Sequence, residues 1–508
     1  MTTLDRGEAA ALVRPLDGEV DAAALYAALS DNGTRADTML LERSGGPTLL
    51  LDRAAVRIEC RGQRVTGHAI GEAGRNVLAW LAQRLGSWVV EAQPDRLQLE
   101  MPRPGSADPA ERLREPSAFE VLRELVGGFT VLTQEEPFTL AALGVVAFDH
   151  VDLIESLPPA AEDPLDFPDY AFWLAESLVV VERGGRARAV CTAFGGDATA
   201  YHGAAQRLSQ LVERCRGTVS LPAEVPLGAP AFTDVDLDDD AYQEVVRSMK
   251  RHIAAGDVYQ IVPSRTFRAP CADPLRVFTA LRRRDPSPYQ FFLHAPDHLL
   301  LGASPETSVR LMQEDGAARI EVKPIAGTRA RGASEDEDDR LEADLRLDGK
   351  EVAEHMMLVD LARNDVARVS TPGSRRVAKL MTVERYARVM HLVSSVTGTL
   401  RAGLDAVHAL QACLNVGTLT GAPKLRATQL LREAERMKRG PYGGAIGWLN
   451  GAGEMDTGVV IRSAVVKDGT AFVRAGAGVV HDSDPAAEAE ETKRKASALL
   501  SVLAGAAA

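Results

Sequence analysis

Two pairs of glutamates carry the strongest chemical signal in this chain. Glu351 and Glu354, and Glu488 and Glu491, are each spaced i, i+3 in segments of helical periodicity, so each pair puts two carboxylates on one helical face. If the faces converge, four negative charges meet. Two like charges about 4 Å apart cost roughly 4 kcal/mol at an effective dielectric of about 20, so such a cluster requires a cation or full solvation. Hard oxygen donors that leave room for water suit Mg2+, which commonly holds an anionic substrate against the protein. Glu351 and Glu354 run in line with Leu358, Leu361 and Asp365, and Glu488 and Glu491 with Lys495, Leu499 and Val502. Both pairs therefore share a face with an apolar stripe, and two readings stay open, metal ligands or solvated surface carboxylates.

Between these helices lie further groups suited to an anionic substrate. Arg462 interrupts the apolar run Val459 to Ala464, expected as a strand, and either forks onto a substrate carboxylate or forms an internal ion pair. The turn Ala475-Gly-Ala-Gly478 lets backbone N–H groups approach an anion, although a β-bulge explains the glycines equally well. It lacks the spacing of a dinucleotide-binding loop. Pro324 to Gly332, containing Gly327 and Thr328, follows the expected strand Arg319 to Lys323. Gly417 to Lys424, containing Thr418, precedes a helix whose N-terminus favours an anion. His391 is either a proton carrier near neutral pH or a core histidine with both ring nitrogens satisfied.

The elements that must position these groups are legible as patterns. Asp315-Gly316, Asn450-Gly451 and Asp468-Gly469 each separate β-rich runs, the hairpin signature of antiparallel sheet. Helices are expected near Ala73 to Leu85, Ala204 to Arg214, Ala241 to Ala255, Glu342 to Arg368, Pro423 to Arg439 and Pro485 to Leu503. Thr48 to Asp52 and Ala55 to Cys60 read as strands. The class is α+β, antiparallel sheets covered by helices. Proline-rich and then acidic sequence from Ser220 to Asp240 marks a junction, dividing an N-terminal domain, 1–230, from a second domain, 231–508.

Composition excludes several classes. The net charge of −13 argues against a general nucleic-acid binder. Five scattered cysteines offer neither a disulfide framework nor a C-x-x-C metal site. No signal-like N-terminus and no apolar run of about 18 residues is present, so a cytoplasmic protein without membrane association is expected.

Taken together, six blocks resemble the chorismate-utilising enzymes, and among them anthranilate synthase component I. They are Gly256 to Arg265, Gly302 to Glu306, Pro324 to Thr328, Leu358 to Asp365, Gly417 to Lys424 and Ala475 to Gly478. The resemblance runs from about Leu40 to the C-terminus and implies that family's αβ sandwich. It implies Glu354 and Glu491 as Mg2+ ligands with Glu351 and Glu488 beside them. It also implies chorismate binding by Gly327, Thr328, Tyr442, Arg462, Gly476, Ala477 and Gly478, and active-site roles for His391 and Thr418. The implied reaction is attack of ammonia at C2 of chorismate with loss of the C4 hydroxyl, then elimination of pyruvate to give anthranilate, the first committed step of tryptophan biosynthesis.

Two positions separate relatives by chemistry. Where isochorismate and salicylate synthases carry a water-activating lysine this chain has Gln260, and where aminodeoxychorismate synthases carry a nucleophilic lysine it has Ala326. Hydroxylation and C4 amination are thus disfavoured. A 2-amino-2-deoxyisochorismate synthase, which keeps the enolpyruvyl group, shares the same motifs. A non-catalytic regulatory or scaffold subunit is opposed by the intact glutamate pairs, Arg462 and Thr328. No cysteine stands in the G-x-C-x-G setting of glutamine amidotransferases, so the resemblance implies a separate glutaminase subunit, component II, in a hetero-oligomer. The family's tryptophan site uses Leu-Leu-Glu-Ser and Pro-Tyr-Met segments. Here Glu42, Arg43 and Ser44 and then Pro288, Tyr289 and Gln290 stand there. A long cation at 43 and an amide at 290 repolarise an indole pocket, so weakened or lost inhibition by L-tryptophan is expected, with Ser44 a stand-in for the displaced serine.

Overall fold

The computed structural model describes residues 3–217, 227–386 and 389–507. Residues 220–226 of the expected junction lie outside them. Helices and antiparallel strands alternate along the chain. Among the described residues, twenty-three strands join one hydrogen-bonded network and two more, Gln260–Ile261 and Gly421–Ala422, pair apart from it. Strands from both sides of residue 230 pair in register. Thr38–Arg43 lies against Tyr289–His294, and Ala141–Val146 against Ala445–Asn450.

Alternation along these strands explains the layers. Met39, Leu41, Phe291 and Leu293 face a core shared with Leu143, Val145, Ile446 and Trp448, whereas Leu40 and Phe292 face another core that includes Leu499, Leu500 and Leu503. Ala142, Val146 and Leu449 point to a third core containing Val359, Ala362 and Val366. One apolar layer therefore lies between sheet faces, and two more are covered by helices, which is why many strands read as continuous apolar runs. The helices Gly349–Val369 and Pro485–Ala507 that carry the glutamates are each fixed by such a core.

Local chemistry sets the boundaries. Asp315 and Gly316 (φ 51° and 76°) and Asp468 and Gly469 (φ 49° and 73°) make the left-handed turns that two-residue hairpins need. At Asn450 the connection is longer, because the Asn450 side chain accepts from the Ala452 and Glu454 N–H groups and the next strand starts at Met455. The single helix expected over Glu342 to Arg368 is two, Glu335–Leu347 and Gly349–Val369. Extended Asp348 separates them, and its carboxylate caps the second by accepting from Lys350 and Glu351. The helix expected to reach Arg439 is Lys424–Glu435, ended by left-handed Arg436. The strand expected over Val459 to Ala464 is broken. Met455–Val459 ends, Ser463–Lys467 begins, and Arg462 between them is left-handed at φ 49°.

Candidate active site

His391 and Thr328 face each other on paired strands, Val389–Thr399 and Ile325–Ala330. The register slips between Ala326 and Thr328, and Gly327 fills the bulge at φ +68°, a backbone region that a side chain resists. The bulge brings the Gly327 carbonyl (3.1 Å) and the Thr328 hydroxyl (3.0 Å) onto His391 Nδ1. The other ring nitrogen, Nε2, is buried and has no partner among the described residues. Burial holds this imidazole below the usual histidine range, the Gly327 bond opposes that, and the Arg462 charge adds to it. Of the two readings of His391, a fully satisfied core residue is therefore not what the structure has.

Glu306, just ahead of the strand Thr307–Glu314, is the group that motif reading passed over. It is buried, accepts from the Thr418 hydroxyl at 2.8 Å, and burial pushes its carboxyl up to about 7 against the pull of Thr418 and Lys495. It can hold a proton near neutrality. Glu306 and Thr418 open onto a cavity of about 310 Å³ that Leu358, Leu361 and Asp365 also line. The available signals were its place at the end of the Gly302 to Glu306 block and as the lone carboxylate between Leu299 and Leu311.

Lys495 ties the remaining parts together. Its ammonium donates to the Gly476 carbonyl at 3.0 Å and lies 3.0 Å from Glu491. At the glycine turn, a Cβ on Gly476 would stand 2.7 Å from the Pro263 carbonyl oxygen and 3.1 Å from the Tyr442 hydroxyl, and one on Gly478 would stand 2.8 Å from Gln260 Nε2. Close approach of the Pro263 carbonyl accounts for Gly476, with the Ser264 and Tyr442 side chains also near, and Gln260 approaches Gly478. The Ala477 N–H is committed to Pro263, and Gln260 Oε1 is buried without a partner among the described residues. Tyr442 also lines a larger cavity, about 450 Å³, where Arg439 and Arg474 are already paired with Glu435.

The four glutamates come within mutual electrostatic reach. Burial raises the Glu354 carboxyl, Lys350 opposes this, and Glu351, Glu488 and Glu491 each raise it further. Glu488 is raised by burial and by Glu491, while Glu491, whose largest influence is also burial, ends below its usual range because Lys495, Arg494 and Lys350 together oppose it. Neighbouring cations share the cluster, with Arg329 3.3 Å from Glu351 and Lys350 3.9 Å from Glu354. Among the described residues, no three His, Cys, Asp or Glu side chains are already gathered to metal-binding distance. The donor set itself, four carboxylates on two helices, fits a hard divalent cation.

Arg462 is in the internal ion pair that was one of its two readings, Nη1 to Asp285 Oδ2 at 3.1 Å. The segments at 42–44 and 288–290 form a separate cluster. Ser44 N–H donates to the Pro288 carbonyl, and Arg282 forks onto Glu42 at 2.6 and 2.8 Å. The Arg43 guanidinium pairs with Asp456 at 2.6 Å and lies 5.6 Å from the centre of the Tyr289 ring, whose hydroxyl donates to Asp456 at 2.6 Å.

Residues 89–501 match the family of chorismate binding enzymes. The chain belongs to that family. It is 44% identical to anthranilate synthase component 1 of Vibrio cholerae, over 95% of this chain and 94% of that one. It is 47% identical to the pyocyanine-specific anthranilate synthase component 1 of Pseudomonas aeruginosa, over 89% and 86%. The crystal structure of anthranilate synthase component I from Streptococcus pneumoniae superposes with a TM-score of 0.70 at 30% identity, covering 90% of this chain and 92% of that one. No helix among the described residues is long and apolar enough to cross a membrane.

Proposed function

We infer that this chain is the aminase subunit of anthranilate synthase, converting chorismate and ammonia to anthranilate and pyruvate. The observation that carries the reading is the protonatable Glu306–Thr418 pair set among the elements that bear the glutamates, Arg462 and the glycine turn, in a chain alike over nearly its whole length to proteins of that name. Arg462 and Lys495 present positive charge to the two substrate carboxylates. Mg2+, when bound by Glu351, Glu354, Glu488 and Glu491, supplies neutralising charge for a carboxylate. Ammonia nitrogen bonds to C2 as the C4 hydroxyl leaves with a proton as water, and Glu306, backed by Thr418, is the group that holds that proton. Loss of the C2 hydrogen and departure of the enolpyruvyl oxygen then give pyruvate and the aromatic ring. His391 Nε2, without a partner among the described residues and within reach of the Arg462 charge, manages the proton of this second step. Gln260 accepts or donates hydrogen bonds but cannot deprotonate water, which supports amination over hydroxylation.

Ammonia comes from a glutamine amidotransferase subunit, anthranilate synthase component II, and the pair acts as a cytoplasmic hetero-oligomer. The side chains at the family's tryptophan site support weak inhibition, because Arg43 spans the space above Tyr289 and is already neutralised by Asp456. The test is to incubate the chain with chorismate, MgCl2 and ammonium at alkaline pH. Anthranilate with an equal amount of pyruvate, abolished by EDTA and restored by excess Mg2+, is the expected result. An amino product retaining the enolpyruvyl group would overturn it in favour of 2-amino-2-deoxyisochorismate synthesis.

A further inference from the structure

Arg462 and Asp285 are both in places that local stability does not favour. Arg462 holds a left-handed backbone, φ 49°, at the break between two strands, where a non-glycine residue is strained. Asp285 caps the C-terminus of the helix Pro274–Arg284, where the helix dipole disfavours a carboxylate. The two meet in one ion pair, and strain of this kind collects at functional sites.

The oxygens of Asp285 have separate tasks. Oδ1 accepts from the Ser287 hydroxyl at 3.0 Å, Oδ2 accepts from Arg462 Nη1 at 3.1 Å, and the main-chain carbonyl accepts from Gln290 at 3.4 Å. The helix behind it is anchored by buried Leu275, Val277, Phe278 and Leu281, and its last turn is braced by the Arg282 fork on Glu42. Asp285 is thus held from several sides. Arg462, by contrast, is 30% exposed, and among the described residues nothing else engages its guanidinium. A planar fork with one arm fixed keeps its direction while the remaining N–H groups stay available to a carboxylate.

Resting on the functional reading above, we propose that Asp285 is a positioning residue for substrate. It fixes one arm of the Arg462 fork so that the other receives a chorismate carboxylate. The interaction is made to the bound substrate throughout the reaction, so its loss falls on binding and not on the chemical step.

Three variants, assayed with ammonium as nitrogen source, test this. Asp285→Ala should raise KM for chorismate about 10-fold or more with kcat within about 3-fold of wild type, the signature of lost ground-state binding. Asp285→Asn keeps one acceptor oxygen for Arg462 and presents its amide NH2 to the Ser287 hydroxyl, which can accept in turn, and should return KM to within about 3-fold of wild type. Asp285→Glu displaces the carboxylate by one methylene and should raise KM as the alanine variant does. This variant keeps the comparison readable if the alanine variant melts early. A wild-type KM in the alanine and glutamate variants, equal KM losses in all three, or a loss confined to kcat would overturn the role. These outcomes are read only where the wild-type chain makes anthranilate. A wild-type chain that leaves chorismate untouched would overturn the functional reading instead, and this role with it.

Discussion

At the scale of single residues, the chemistry rests on groups whose surroundings move them away from their ordinary behaviour. Glu306 is the clearest. Burial raises its carboxyl to about 7, so near neutrality it is protonated about as often as not, which suits a group that must both give and regain a proton. Glu306→Gln should lower kcat by about 10²-fold or more, with a smaller effect on KM. The same shift has a sign in stability. A carboxyl whose folded pKa is raised contributes most below its unfolded pKa, and that contribution is lost as pH climbs from about 4.5 through about 7. The melting temperature of wild type relative to Glu306→Gln should therefore fall across that window. Parallel melting curves at all pH values would show that folding leaves the Glu306 pKa unshifted. His391 differs in kind, because its value lies in a buried ring nitrogen that has no partner among the described residues.

At the scale of elements, a β-bulge and two helices assemble the site. The bulge at Gly327 turns Thr328 and the Gly327 carbonyl onto His391 and leaves room for Glu351. A Cβ at Gly327 would stand 3.0 Å from Leu345 Cδ1 and 3.2 Å from Glu351 Oε2. Gly327→Ala should cost about 1–2 kcal/mol from the left-handed backbone alone. It should also raise the Mg2+ concentration for half-maximal rate by displacing Glu351. Urea unfolding and a Mg2+ titration read these effects separately, and wild-type values in both would contradict the account. Asp348 is a second such device. By ending one helix and capping the next it sets the rotation of Gly349–Val369, and so the direction in which Glu351 and Glu354 face.

At the scale of the whole molecule, strands from both halves of the chain pair, so the 42–44 and 288–290 segments adjoin although far apart in sequence. The space above Tyr289 is taken by the chain's own Arg43, neutralised by Asp456. Low micromolar tryptophan should leave the rate of anthranilate formation unchanged, and Arg43→Ser should create or strengthen inhibition. Wild-type inhibition at low micromolar tryptophan would refute this reading of Arg43.

The sequence by itself determined the antiparallel α+β class, two of the three hairpin turns, the glutamate-bearing helices and the family, because these depend on local periodicity, turn chemistry and ordered motifs. The segment from Pro324 to Gly332, expected as a loop, is instead largely the strand Ile325–Ala330, so Thr328 stands on a strand that pairs with that of His391. Only the tertiary structure decided that Glu306 is buried against the Thr418 hydroxyl and that Arg462 pairs with Asp285. It alone showed that Asp348 splits a helix whose periodicity continues across the break, and that Arg462 ends a strand that its apolar neighbours predict. Burial and charge proximity are properties of surroundings assembled from distant segments, and no spacing within one segment encodes them.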